Sequence, residues 1–270
     1  MRFSNLILPA FLAVVLACNS SSKKEDQKVM PGLKNGKISK LTFGNCDTVR
    51  NSGVSLHIRM WMPADSGKAE INISRQLDTK VIQRIDSYAD MSNSEMNPGS
   101  QKSPKAAYEV FAKNYYDFKK DFPEAPGCWE VDLKGDTTMV TSKVLLYQLD
   151  HYSFTGGAHP NSFRSFHIFD ALTGEENQAK AFVADTVALL KKVETAFRKL
   201  EKLDEKDNLE EKGYFLLNHK FSLPANYTFT RKGVLFYYNP YEIAAYARGA
   251  IEFTIPYSEL EGIVKKELVF

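Results

Sequence analysis

Several things that would fix a function at once are scarce in this chain. It holds three cysteines in 270 residues, too few for a small secreted scaffold held together by disulfides. Beyond residue 17 no apolar run reaches the ~18 residues that a membrane-spanning helix requires. Lys and Arg number 35 against 33 Asp and Glu, a formal net charge of +2. That balance excludes the strongly basic face on which phosphate-backbone recognition depends, so no nucleic acid is expected as partner. Also missing are a Gly-Lys-Ser/Thr phosphate loop, a Gly-x-Ser-x-Gly elbow, a His-Glu-x-x-His helix and a dinucleotide fingerprint. No cofactor is expected. What remains, 43% hydrophobic and 25% charged, is the composition of one or two folded domains.

The N-terminus addresses the compartment. Met1 to Asn5 carries one cation, Arg2, and the twelve residues Leu6 to Ala17 are apolar up to Cys18. A charged start, a short apolar segment and a small residue before the cut describe a secretory signal peptide over residues 1–17. Val15-Leu16-Ala17-Cys18 resembles a bacterial lipobox. That resemblance implies that the Cys18 thiol is acylated and becomes the first residue of the mature chain; the alternative is an ordinary signal peptide with Cys18 incidental. Each buried acyl methylene contributes ~0.8 kcal/mol, so more than one chain makes a lasting anchor.

Residues 18–37 are polar, charged and punctuated by Pro31, Gly32 and Gly36. They read as a flexible tether reaching ~25 Å from the membrane. Lys24-Glu25-Asp26 resembles the Lys-plus-acids signal by which some Gram-negative lipoproteins reach the cell surface. The expected location is the bacterial envelope, lipid-anchored, at the outer membrane or cell surface. Without Cys18, Cys46 and Cys128 remain as an even pair in an oxidising compartment. They are either two buried thiols or a disulfide, which would close a loop of ~80 residues and stabilise by up to ~4.5 kcal/mol.

Beyond the tether the chain is expected to fold as a pair of halves, 38–160 and 161–270. Leu56, Ile58, Met60 and Met62 alternate with His57, Arg59 and Trp61, the pattern of a half-buried strand. Leu77, Val81, Ile85 and Tyr88 recur at helical spacing, as do Ala107, Phe111, Tyr115 and Phe118. Residues 90–104 read as a loop. Trp129–Leu133 and Met139–Phe154 read as strands, with a break at Gly135-Asp136. After a strand over 162–169 and a turn at 171–174, an amphipathic helix is expected over 185–203. Short strands follow at 227–230, 234–238 and 250–255, then a terminal helix over 258–268. Helices and strands mix without regular βαβ alternation, so the fold class is α+β, with mixed or antiparallel sheets and packed helices.

Chemistry concentrates in two segments. In the first, Tyr152 to Pro160, paired glycines permit positive φ and mark a tight turn. His151, His159 and His167 are spaced eight apart. A hairpin centred near His159 would set His151 across from His167, within reach of a shared metal or proton and of Asp150 or Asp170. Against that stands the plainer reading of structural or recognition histidines, since a one-residue slip of register separates the pair. The second segment, 237–257, holds five of the thirteen tyrosines, residues favoured at recognition surfaces and equally at the polar edge of a core.

Three motifs stand in order: Thr155-Gly156-Gly157-Ala158-His159, Asp170-Ala171-Leu172-Thr173-Gly174 and Pro240-Tyr241-Glu242-Ile243-Ala244. Together they resemble the extracytoplasmic module of lysozyme-sensing anti-sigma factors (RsiV-like), over roughly residues 40–265. The same domain pair occurs in bacterial lipoproteins and beside some peptidoglycan deacetylases. The resemblance implies an α+β fold and a ligand surface at Thr155, Gly156, Gly157, Ala158, His159, Tyr237, Tyr238, Tyr241 and Glu242. In the anti-sigma relatives the module binds lysozyme; beside cell-wall enzymes it is thought to touch peptidoglycan. No sigma-binding segment, spanning helix or deacetylase domain is expected here. The expected function is therefore a lipid-anchored, non-catalytic domain binding lysozyme or peptidoglycan. Its rivals are a hydrolase of cell-wall glycan with a His-centred site, and an assembly lipoprotein with a protein partner.

Overall fold

The computed structural model describes residue 33, residues 35–47, 49–50, 52–64, 66–89, 102–125 and 127–270. The signal peptide, Cys18, nearly all of the tether and most of the 90–104 loop lie outside the described residues.

The fold is α+β, with a six-stranded and a three-stranded sheet. Strand β1 (Gly36–Asp47) pairs antiparallel with β2 (Ser52–Pro63). Two helices follow, α1 (Lys68–Ala89) and α2 (Pro104–Asp121), the second opened by Ser103, whose side chain accepts from Ala106 N. They carry the chain over to β3 (Trp129–Val140), which runs parallel to β2. Strands β4 (Val144–Phe154), β5 (Asn161–Asp170) and β6 (Glu176–Asn177) continue the sheet antiparallel.

Period-2 alternation gives this sheet two faces. Leu56 and Ile58 of β2, Val131 and Leu133 of β3, and Leu145, Tyr147 and Leu149 of β4 point at Ile73, Leu77, Val81 and Ile85 of α1 and at Phe111 and Tyr115 of α2. The other face of β4 and β5 supplies Val144, Leu146 and Ile168 to a second core. That core is completed by Leu189, Val193 and Phe197 of α3 (Thr186–Leu200) and by β7 (Asn226–Phe229), β8 (Gly233–Tyr238) and β9 (Ile251–Pro256). Asp185 caps α3, its Oδ1 accepting from Val187 N at 3.0 Å and Ala188 N at 2.9 Å. One sheet thus serves two cores.

The first sheet continues past residue 160, since β4 and β5 form one hairpin there and the sheet runs on to Asn177. Three features differ from the sequence reading. Gly135-Asp136 does not interrupt a strand. A Cβ at Gly135 would stand 2.2 Å from the Tyr147 hydroxyl, so the glycine makes room for a buried ring whose hydroxyl donates to Trp61 O at 2.9 Å. Strand β1 escapes the reading by pattern because it is an exposed edge strand with little apolar alternation. The terminal helix is replaced by short 3₁₀ turns, Tyr257–Glu259 and Lys266–Leu268. Gly262, at φ 72°, turns the chain between them so that Leu260, Val264 and Val269 close the second core.

Candidate functional site

The β4–β5 hairpin pairs His151 with Phe163 and Tyr147 with His167, so it centres on Gly157 and not near His159. At its tip Gly156 and Gly157 both have φ 95°, and a Cβ on either would meet nothing within 4 Å. The turn is therefore open to solvent on its outer side.

His159 sits at the foot of the tip. Its Nδ1 is 3.0 Å from Pro160 O; a carbonyl only accepts, so Nδ1 carries the proton. In the neutral ring Nε2 then keeps its lone pair and accepts from the Tyr241 hydroxyl at 3.0 Å. The ring stacks on Tyr246 with centroids 3.8 Å apart and planes 12° from parallel, and Tyr241 and Tyr246 are 5.6 Å apart. Residues 82 positions apart in the chain thus share one aromatic cluster.

Tyr241 has φ 69°, a left-handed conformation that costs a non-glycine residue ~1–2 kcal/mol. Its neighbours hold it there. The Glu242 carboxylate accepts from Ala225 N at 2.6 Å and Asn239 N at 2.8 Å. Asn239, 4% exposed, accepts from Arg164 N at 2.7 Å and donates to Arg164 O at 3.0 Å, pinning the loop to the outer edge of β5. Glu242, part-exposed, thereby braces the loop. Tyr241 itself is 53% exposed.

The other two tyrosines are placed differently. Tyr237 lies under the Arg164 guanidinium at 4.8 Å, and that arginine also pairs with Asp150 at 2.7 Å and Glu252 at 3.2 Å. Tyr238 is 1% exposed and its hydroxyl donates to Ser222 O at 2.8 Å. As a surface candidate it is corrected: alternation along β8 turns it into the second core.

The three histidines do not converge. His151 and His167 lie on the helix-facing side of the sheet, one on each side of Ser165, whose Oγ is 3.4 Å from His151 Nε2 and 3.0 Å from His167 Nε2. His167 Nδ1 is 2.7 Å from Glu176 Oε1, and Glu176 Oε2 is 2.7 Å from Lys80. Burial, reinforced by Arg84 and His167, pushes the His151 imidazole down to about 3. Burial also lowers His167, outweighing its hydrogen bond to Glu176. For Glu176 burial pulls upward, but hydrogen bonds from His167 and Lys80 win and hold it at about 2. Ser165, His167 and Glu176 line a cavity of about 520 Å³. Carboxylate, imidazole and hydroxyl stand in the order of a nucleophile relay. Asp150 and Asp170 take no part: the first pairs with Arg164, and Asp170 Oδ1 accepts from the backbone N–H groups of Leu172 and Thr173 to form the following turn.

A further cluster is invisible in the sequence because it depends on the parallel pairing of β2 with β3. His57 is in register with Asp132. With Glu130 they offer ligand atoms within 4.8 Å of one another, and Asp132 Oδ1 is buried without a hydrogen-bond partner. An imidazole and two carboxylates are a donor set suited to a divalent cation.

Cys46 and Cys128 are brought together as half-buried thiols with no bond between them. Cys46 Sγ accepts from Ser55 at 3.7 Å. Burial, then the hydrogen bond with Cys46, pushes the Cys128 thiol up to about 12.

Residues 51–162 match the family model described as Deacetylase PdaC, and residues 180–258 match DUF3298, a protein of unknown function. The two matched segments follow one another in that order. Two crystal structures share the fold. A DUF3298 family member from Bacteroides fragilis NCTC 9343 superposes with a TM-score of 0.64 at 19% identity, over 85% of this chain and 93% of its own. A DUF3298 family protein from Pseudomonas aeruginosa PAO1 does so with 0.58 at 23%, over 88% and 98%. No curated protein matches the chain. The PdaC match covers α1, α2 and the hairpin to its tip; the DUF3298 match covers α3, the small sheet and the Tyr241 loop. The aromatic cluster is where the two matched segments meet.

Proposed function

We propose that the protein is a lipid-anchored envelope protein whose domain docks on lysozyme through the Thr155–His159 tip and Tyr241. The observation that carries this reading is Tyr241: half-exposed, held at φ 69°, tied to His159 and braced by Glu242 and Asn239. A projecting aromatic residue whose strain is already met by its own loop loses little freedom on binding. We take it as an anchor for another protein's cleft, the role in which tyrosines dominate interface energies, and so put lysozyme before a peptidoglycan strand. Both cores are built from residues 33–269, so the chain from residue 19 onward serves for titration calorimetry. Heat with lysozyme and none with muropeptides supports the proposal; muropeptide binding alone, or no heat with either, overturns it. Mass spectrometry of Cys18 tests the anchor: an unmodified thiol in a membrane-free fraction removes it.

We further propose that Cys46 and Cys128 join in the envelope, their thiols giving two protons and two electrons to a disulfide oxidant. Protein purified from the envelope then takes up no alkylating reagent at either position until it is reduced.

A second reading, hydrolysis, is favoured by the Ser165–His167–Glu176 arrangement alone. In that reading the Ser165 hydroxyl attacks an ester carbonyl while His167 Nε2 takes its proton, the ester C–O bond breaks as that proton passes to the departing alkoxide, and water then hydrolyses the acyl-serine. A fluorophosphonate probe should then label the protein but not Ser165→Ala; absence of labelling at pH 8 dismisses it.

A further inference from the structure

Helix α3 turns Leu189, Val193 and Phe197 into the core, and its flank faces β9 across an open groove of about 830 Å³. The groove follows the helix from Ala188 to Leu200, about 18 Å at 1.5 Å per residue. Small side chains, Ala188, Thr195 and Ala196, leave the space, and Phe253, Ile255, Pro256 and Ile263 supply an apolar opposite wall. One end is closed where Ala184 N donates to Ile263 O at 2.8 Å. Lys191, Lys192 and Lys199 stand along the rim, exposed and without an ion-pair partner among the described residues. Glu259 is the one acidic lining residue.

An apolar trough with cationic groups on one edge matches a molecule that is apolar along its length and anionic at its head. Leu200, in the lining, is 46% exposed, so the apolar surface of the trough is open at that end. We propose that this groove binds a single long-chain fatty-acid carboxylate, its alkyl chain along β9 and its head on the lysine rim. The groove shares no residue with the aromatic cluster, so the proposal stands or falls apart from lysozyme docking.

The test uses the chain from residue 19 onward, without detergent, and a fluorescent polyene fatty acid displaced by palmitate. We expect saturable binding in the micromolar range, displaced by palmitate but at least tenfold less well by its uncharged methyl ester. Thr195→Trp, which fills the trough from an exposed position, should abolish binding with an unchanged melting temperature. Replacing the three lysines by Glu should weaken it at least tenfold. Equal displacement by the ester, undiminished binding by Thr195→Trp, or binding to phosphatidylglycerol vesicles without binding of monomeric palmitate would each overturn the proposal.

Discussion

Tyr241 concentrates the recognition argument in one side chain. Tyr241→Ala removes both the exposed ring and the hydroxyl that His159 Nε2 accepts from. It should weaken lysozyme binding by ~2 kcal/mol or more, the scale of an interface hot spot. Tyr241→Gly separates binding from stability. It relieves the left-handed backbone, so the urea midpoint should hold or rise while binding is lost equally. His151 makes a different prediction, one of pH. Its native imidazole titrates at about 3 because it is buried beside Arg84 and His167, whereas in the unfolded chain it titrates near 6.5. Between those values the unfolded state binds the extra proton, so stability falls as pH drops through that window. His167 is shifted in the same direction. His151→Leu should therefore lose about 2 kcal/mol less than the wild type between pH 7 and pH 5, read from urea midpoints. Histidine spacing is legible in the sequence; the register that sets His151 opposite Phe163 is not.

Strands and loops succeed or fail on single positions. Gly135 faces the Tyr147 ring, and Gly135→Ala would put a methyl group 2.2 Å from its hydroxyl and 2.7 Å from its Cε1. Such overpacking of a buried, hydrogen-bonded tyrosine should cost about 1–3 kcal/mol in chemical unfolding. Sequence patterning makes this glycine a break, since local composition cannot report a ring arriving from the neighbouring strand. Strand β2 and helices α1 and α3 are legible because one face of each is apolar at the proper period. Strand β1 is not, because at an edge little is buried and no pattern is enforced. The His57–Glu130–Asp132 cluster is hidden for a related reason: parallel pairing across a two-helix crossover leaves no local trace.

Across the whole molecule, the Asn239 side chain fastens the small sheet's loop to β5 of the large one through two hydrogen bonds. Asn239→Ala leaves a backbone N–H and C=O of Arg164 without those partners, a loss of about 1–3 kcal/mol. Because the same clamp orients Tyr241, lysozyme affinity should fall in this variant although no contact residue has changed. Preserved affinity at reduced stability would show that the loop holds its shape without the clamp. With a formal charge of only +2, the protein exerts no long-range pull on a basic partner. Association measured by stopped flow should therefore change little between low and physiological salt.

What the sequence determined by itself was the class of the fold, the faces of its main helices and strands, and the two segments that carry the distinctive motifs. These follow from side-chain periodicity and turn chemistry, which act over a few residues. Tertiary structure alone decided that His159 meets Tyr241, that Tyr238 is core and Glu242 a brace, and that the cysteines lie side by side. Those outcomes depend on strand register and on the docking of one sheet against another, which are set by packing between residues far apart in the chain.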